Sequence, residues 1–330
     1  MRNYGRHIQL PINYDDLFRH QEAFPLLDKN GKDTLWETLI YDQDDTKFLN
    51  KCLTRIYTLL KIEGEAELIK HLYISRIDYC TFGNSHPFRI KVVNQFNDNY
   101  DYFYVKKADA SRIYGLELEH ILSPNRINYM VYNETLIEEH IAGIPGDDFV
   151  KSYFDRPTLN KVRLGKEFIK FNERCFVRLL GDMRSYNFVI DVTPDFEDEQ
   201  YRIRPIDFDQ QSYEGKHRMY LPQFFKDNNP YVKLCLDLIN PETAEQYQNE
   251  ERTLLMRRVR SARHMLVELL DAMMEDNISS PEKVTQLKNE LANYHQNDEF
   301  LKCENLGEIV RLNLKTCVTH RTDIKATEDL

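Results

Sequence analysis

The spacing of apolar and polar positions changes period several times along the chain, and each change predicts a different element. Phe48, Leu49, Cys52, Leu53, Ile56, Leu59 and Leu60 recur at three and four, the stripe of an amphipathic helix that stops near Gly64. From His71 the period becomes two. Leu72, Ile74 and Tyr79 to Phe82 predict a first strand, Phe88, Ile90 and Val92 a second, and Tyr102 to Lys106 a third, with a hairpin at Gly83-Asn84-Ser85-His86-Pro87. A helix follows, capped at Asp109 or Ser111 and stopped after Leu122 by Ser123-Pro124. Ile127 to Tyr132 and Thr135 to Ile141 then read as two more strands, which completes an antiparallel sheet of five. Beyond the turn at Pro145-Gly146-Asp147-Asp148 the pattern is mainly helical. Leu159 to Asn172 is one helix, Leu255, Val259, Ala262, Leu266, Leu269, Leu270 and Met273 line another, and Ser280-Pro281-Glu282 opens a third. One strand pair interrupts this region, Asn187 to Val192 and Tyr201 to Ile206, around the acidic turn Pro194 to Gln200. The pattern is that of an α+β chain, with a polar, mobile tail from Val318 to Leu330.

Composition narrows the function classes. A chain of 330 residues with 42% hydrophobic positions has enough apolar surface for one large or two ordinary domains. No apolar run approaches the roughly 18 residues that a membrane-spanning helix needs, and no apolar signal segment follows the N-terminus, so a cytoplasmic protein with no membrane partner is expected. The six cysteines lie far apart without a Cys-x-x-Cys spacing and predict neither a zinc site nor a disulfide framework. A net charge of −10 argues against broad nucleic-acid binding, which calls for a basic face, though it allows a local basic patch. Five arginines between Arg252 and Arg263 read as the solvated face of one helix.

The candidate chemistry lies in Leu179-Leu180-Gly181-Asp182-Met183-Arg184-Ser185-Tyr186-Asn187, followed by Ile206-Asp207-Phe208-Asp209. Transfer of a γ-phosphoryl group needs an acceptor hydroxyl held in line, a group to take its proton, and metal to neutralise the phosphates. Asn187 and Asp207 offer the hard oxygens that Mg2+ prefers, and Asp182 remains as the base. A hairpin between them would bring Asn187 and Asp207 together at one end.

This arrangement resembles the protein-kinase-like superfamily, in which a catalytic loop ending in asparagine precedes Asp-Phe-Gly. In motif it is closest to the aminoglycoside and choline phosphotransferase branch, whose loop begins His-Gly-Asp and is matched here by Gly181-Asp182. Leu180 replaces the histidine, Asp209 replaces the glycine after Asp-Phe, and Gly83 alone represents a glycine-rich loop. The resemblance implies a two-lobed kinase-like fold: a helical extension over 1–70, an N-lobe over 71–141 with the five-stranded sheet and one helix, and a mainly helical C-lobe over 142–317. It implies ATP and Mg2+ as cofactors and a small-molecule or protein hydroxyl as acceptor. Lys106, in Tyr104-Val105-Lys106, takes the place of the phosphate-orienting lysine, and Arg184 stands where a phosphate-contacting lysine is found. That lysine is expected to pair with a helical carboxylate. Glu117 shares the stripe of Ile113 and Ile121, whereas Glu119 points away, so Glu117 is the expected partner. Leu136 to Gly143 corresponds to the hinge, where backbone groups of Glu139 and Ile141 would meet the adenine edge, and Gln210 to His217 occupies the place of an activation segment. Asp147, Asp148 and the 195–199 turn favour a cationic or neutral polar acceptor. The alternatives are a kinase-like protein that binds nucleotide or a partner without turnover, and a nucleotidyl transferase on the same fold.

Overall fold

The computed structural model describes residues 5–61, 71–82, 85–196 and 198–318. The chain divides into two compact units, Met1–Asp109 with Ile127–His140, and Ala110–Arg126 with Ile141–Leu330.

The first unit is built on a seven-stranded antiparallel sheet. In chain order its elements are β1 (Glu22–Leu27), β2 (Asp33–Ile40), α1 (Gln43–Lys61), β3 (Leu72–Cys80), β4 (Phe88–Asn94), β5 (Tyr100–Lys107), β6 (Tyr129–Tyr132) and β7 (Thr135–Glu139). The spatial order is β1-β2-β3-β4-β5-β7-β6. The five strands read from alternation are present as β3 to β7, and the expected five-stranded sheet is extended by the hairpin β1-β2. The region read as a helical extension therefore contributes two strands as well as α1. The reason is local: β1 is exposed along nearly its whole length, so no inward face imposes a period of two. Its Pro25 is tolerated because β1 is the sheet edge. The turn between the two strands is closed by Asp28, whose carboxylate accepts the amides of Asn30 and Lys32, with Gly31 in the left-handed region at φ 77.

One core holds this unit. Ile77, Phe88, Ile90, Val92, Phe103, Val105 and Ile137 from the sheet pack with Leu49, Leu53, Ile56 and Leu60 of α1. At the bulge between Ile74 and Arg76 the ladder is mended by α1, whose Asn50 side chain accepts the Ile74 amide at 2.7 Å. Gly64, the expected helix stop, lies outside the described residues, as do Gly83 and Asn84 of the β3-β4 turn.

The second unit is mainly helical. It contains α2 (Ala110–Leu122), the short strand β8 (Ile144–Pro145), α3 (Gly146–Tyr153), α4 (Lys161–Arg178), the hairpin β9 (Phe188–Asp195) and β10 (Asp198–Pro205), α5 (Asn229–Leu238), α6 (Pro241–Ser261), α7 (Arg263–Glu275), α8 (Pro281–His295) and α9 (Leu306–Val318). Leu118 and Leu122 of α2, Phe176 of α4, Leu255 and Val259 of α6, Leu266 and Leu270 of α7 and Leu314 of α9 share one apolar core. In this division α2 packs into the core of the helical unit. Of the tail read from Val318, all but Val318 lies outside the described residues.

The stripe from Leu255 to Met273 is two helices, because Ala262 leaves the helical conformation at φ −115 and ψ 23. The arginines along it divide accordingly. Arg257, Arg260 and Arg263 are exposed as expected, but Arg252 donates to Glu173 of α4 at 2.6 Å and Arg258 to the Ser123 carbonyl at 2.8 Å. Arg174 joins Glu167 at 2.6 Å and Glu251 at 3.5 Å, and Arg178 contacts Glu119. Burial lowers the Arg178 pKa to about 9, with the nearby Glu251 carboxylate acting in the opposite direction.

Candidate functional site

The loop between α4 and β9 is held in shape by its own backbone. Leu179 ends α4 in the left-handed region at φ 55, and Asp182 adopts the same conformation at φ 54. Such residues are uncommon outside glycine and persist only where the surroundings fix them. Here the Gly181 amide donates to Gln210 O at 3.0 Å and the Asp182 amide to Met219 O at 3.1 Å. Asn228, fully buried, donates to both Met183 O and Pro222 O at 2.8 Å. Gln211, also fully buried, donates to Arg178 O and to Leu179 O. These amides brace the loop on either side of Leu180.

Within the loop, Asp182, Arg184 and Asn187 are brought together. Arg184 Nε donates to Asp182 Oδ1 at 2.8 Å, and its Nη1 lies 3.4 Å from Asp227. Its guanidinium also sits 5.1 Å from the centre of the Phe225 ring. Asn187 Nδ2 donates to Asp182 O at 2.8 Å and approaches Asp182 Oδ2 at 3.4 Å. The amide is thereby oriented, and its oxygen faces away from the bonded nitrogen. β9 and β10 pair in register from Phe188↔Pro205 to Asp195↔Asp198, and the Ile206 amide donates to Asn187 O at 3.0 Å. The hairpin thus places Asn187 and Ile206 side by side, with Asp207 next in the chain.

Asp207 is gripped by a residue that sequence reading passed over. Arg112, in the first turn of α2 and only 2% exposed, donates from Nη1 to Asp207 Oδ1 at 3.0 Å, and its Nη2 lies 3.8 Å from Asp209 Oδ2. The neighbouring Ser111 hydroxyl lies within bonding distance of Asp209 O at 2.9 Å and Gln211 O at 2.7 Å. One turn on, Gly115 lets the helix close on the same segment, since a Cβ there would lie 2.9 Å from Phe208 Cβ. The signal for this contact was weak. An arginine in the first turn of a helix opposes the macrodipole, and that misfit is the one local hint that it answers to something distant.

The remaining expected residues have their own surroundings. Lys106 is buried on β5, and its Nζ donates to Glu138 Oε2 of β7 at 2.6 Å. Tyr104 faces Glu138 across the ladder, and positions two apart share a face, so the period of two in β5 and β7 already pointed at Glu138. Glu117 is buried on α2, and so is Glu119, which turns inward to Arg178 and does not point away. Glu139 accepts from Lys61 at 3.0 Å and from the Asn128 amide at 2.8 Å, while its own amide donates to Asn128 O at 3.0 Å. Ile141 is buried at the start of the second unit's main segment. The acidic groups read as favouring a cationic acceptor are balanced locally. Lys151 lies 2.9 Å from both Asp147 and Asp148, and Arg163 lies 3.4 Å from Asp198.

The segment after Asp209 is anchored. Gln211 and Ser212 are fully buried, Leu180 bridges Gln211, and Tyr220 donates to Glu214 O at 2.6 Å. Among the described residues no helix is long and apolar enough to cross a membrane, and no group of three or more His, Cys, Asp or Glu side chains could hold a metal ion. The six cysteines are all free.

No known family model matches the chain, and no curated protein matches it. Among solved structures it is similar to titin kinase and its flanking domains, at 13% identity and a TM-score of 0.25, over 80% of this chain. The chain spans 60% of the length of that structure, and a superposition of this extent carries no argument about what the chain does.

Proposed function

We propose that the chain is a kinase-like phosphotransferase that moves the γ-phosphoryl group of ATP, with magnesium, to a hydroxyl of a small molecule or a protein. The observation that carries this reading is the loop geometry: an aspartate in a fixed left-handed conformation, an asparagine bonded to it, and an aspartate at the end of the hairpin that follows. Asp182 would orient the acceptor hydroxyl and take its proton, its side chain being partly open to solvent. Arg184 would stand over the transferring group, steadied by Asp227 and Phe225. The donor set fits a hard cation, because the Asn187 amide is oriented by its nitrogen and the Asp207 carboxylate, bonded to Arg112 through Oδ1, is partly open to solvent. Magnesium held by Asn187 and Asp207 would supply charge neutralisation of the phosphates. Lys106, held by Glu138, would orient the α and β phosphates from β5.

Two measurements test this. ATP with Mg2+ should raise the thermal midpoint of the wild type, because preferential binding to the folded state stabilises it, and should not do so in Asp207→Asn. Labelled γ-phosphate should then move to an acceptor in a substrate screen. Binding without transfer would favour the second reading, a nucleotide-binding protein without turnover, for which the ion pair between Asp182 and Arg184 is the supporting observation, since it ties the candidate base to a cation. Transfer of labelled α-phosphate instead would identify a nucleotidyl transferase.

A further inference from the structure

The position of Arg112 is costly unless it does something. Its guanidinium is almost fully removed from water, and it sits in the first turn of a 13-residue helix, where the peptide dipoles already present partial positive charge. Asp207 and Asp209 offset both effects, one at 3.0 Å and the other at 3.8 Å, and both keep part of their surface open. Two partly open carboxylates at the end of a hairpin are an attractive site for divalent cations. With the guanidinium between them, a dication there meets a fixed positive charge across a single carboxylate. Repulsion at that range in a partly buried setting lowers affinity by roughly 100-fold or more.

We propose that Arg112 is a resident cation of this site, standing where a divalent ion would otherwise bridge Asp207 and Asp209. The free protein takes up no divalent ion at these carboxylates, and at most one enters, together with nucleotide phosphates. The second clause rests on the phosphotransferase reading and the first does not. Arg112 is thus a positioning residue that sets how many metal ions the site accepts.

The experiment is a Mn2+ titration of the full chain, read from the loss of the free-ion paramagnetic resonance signal. Without nucleotide, the wild type should show no uptake that Asp207→Asn removes. Arg112→Gln should take up one Mn2+ per chain, and Arg112→Gln combined with Asp209→Asn should lose it again. Uptake by the wild type that Asp207→Asn abolishes, or no uptake by a folded Arg112→Gln, overturns the proposal. If Arg112→Gln does not fold, Arg112→Met carries the test as a second neutral variant: uptake that Asp207→Asn removes supports the proposal and none by the folded variant overturns it. With ATP present, the wild type should hold one Mn2+ per nucleotide and Arg112→Gln two, and two in the wild type also overturns it. Failure of the phosphotransferase reading looks different, because nucleotide would then fail to bind in every variant while the nucleotide-free titrations still decide the role of Arg112.

Discussion

Asp182 combines a reactive position with an unusual backbone, and the two can be separated by substitution. Asparagine tolerates the left-handed conformation at φ 54 about as well as aspartate but cannot accept a proton, so Asp182→Asn should keep the fold and lower turnover by about 10²- to 10⁴-fold. Far-ultraviolet circular dichroism alongside a γ-phosphate transfer assay checks both halves, and retained turnover would remove Asp182 from the mechanism. Gly115 gives a converse case, in which the chemistry is nil and the space is everything. Alanine is the better helix former by about 1 kcal/mol, yet its Cβ would lie 2.9 Å from Phe208 Cβ and 3.1 Å from Gln211 Cβ. Overpacking of that kind costs about 1 to 3 kcal/mol, so Gly115→Ala should lower the urea midpoint despite the gain in propensity. An unchanged or higher midpoint would mean that α2 and the 207–211 segment move apart at little cost.

Between elements, the loop from Leu179 to Asn187 depends on side chains that reach it from later in the chain. Asn228 is the clearest, since its buried amide joins Met183 O of the loop to Pro222 O of a later segment. Asn228→Ala should destabilise the protein by about 1 to 3 kcal/mol and reduce turnover with it, as measured by chemical denaturation and the transfer assay together. Had stability fallen with turnover intact, the brace would be irrelevant to the loop's geometry. Such long-range brackets explain what was legible in the sequence. β4 and β5 were readable because each buries one face strongly: Phe88, Ile90 and Val92, then Phe103 and Val105, alternate with less buried positions. β10 was readable for the same reason, since Tyr201, Ile203 and Pro205 are buried in alternation, and β9 as the short buried run Phe188 to Ile190. β1 and β2 were not, because an exposed edge hairpin imposes no alternation. α2 misled for a different cause. Helical periodicity separates an inner face from an outer one, but α2 is buried nearly all round, so Glu119 and Arg112 are as enclosed as Glu117. Their partners Arg178 and Asp207 lie 59 and 95 residues away in sequence, beyond the reach of any local pattern.

At the scale of the whole chain, a net charge of −10 promotes solubility and makes stability on acidification a question of which groups fold with altered proton affinity. Burial lowers the pKa of His140 in the first unit and of His295 in the second. A histidine depressed in the folded state is neutral there while the unfolded chain binds a proton, so stability declines as pH falls below the ordinary value of about 6.5. A second decline begins below about 4.5, where carboxylates held down by their partners must protonate. Glu250 is held down by the Lys170 hydrogen bond, and Glu290 by its bonds to His217 in spite of burial. His295 is the more tractable test of the first decline, because its tautomer is fixed. Asn313 donates to Phe176 O at 2.9 Å and Val177 O at 3.0 Å, so its oxygen faces His295 and requires Nε2 to carry the proton at 2.8 Å. The ring also stacks on Phe300, with centroids 5.3 Å apart. Glutamine at 295 can donate the same hydrogen bond but cannot titrate. His295→Gln should therefore be less stable than wild type at pH 7, through lost stacking, yet lose less stability between pH 7 and pH 5.5. Parallel pH profiles for the two proteins would show that His295 releases no proton on folding, and the burial argument for its lowered pKa would fail.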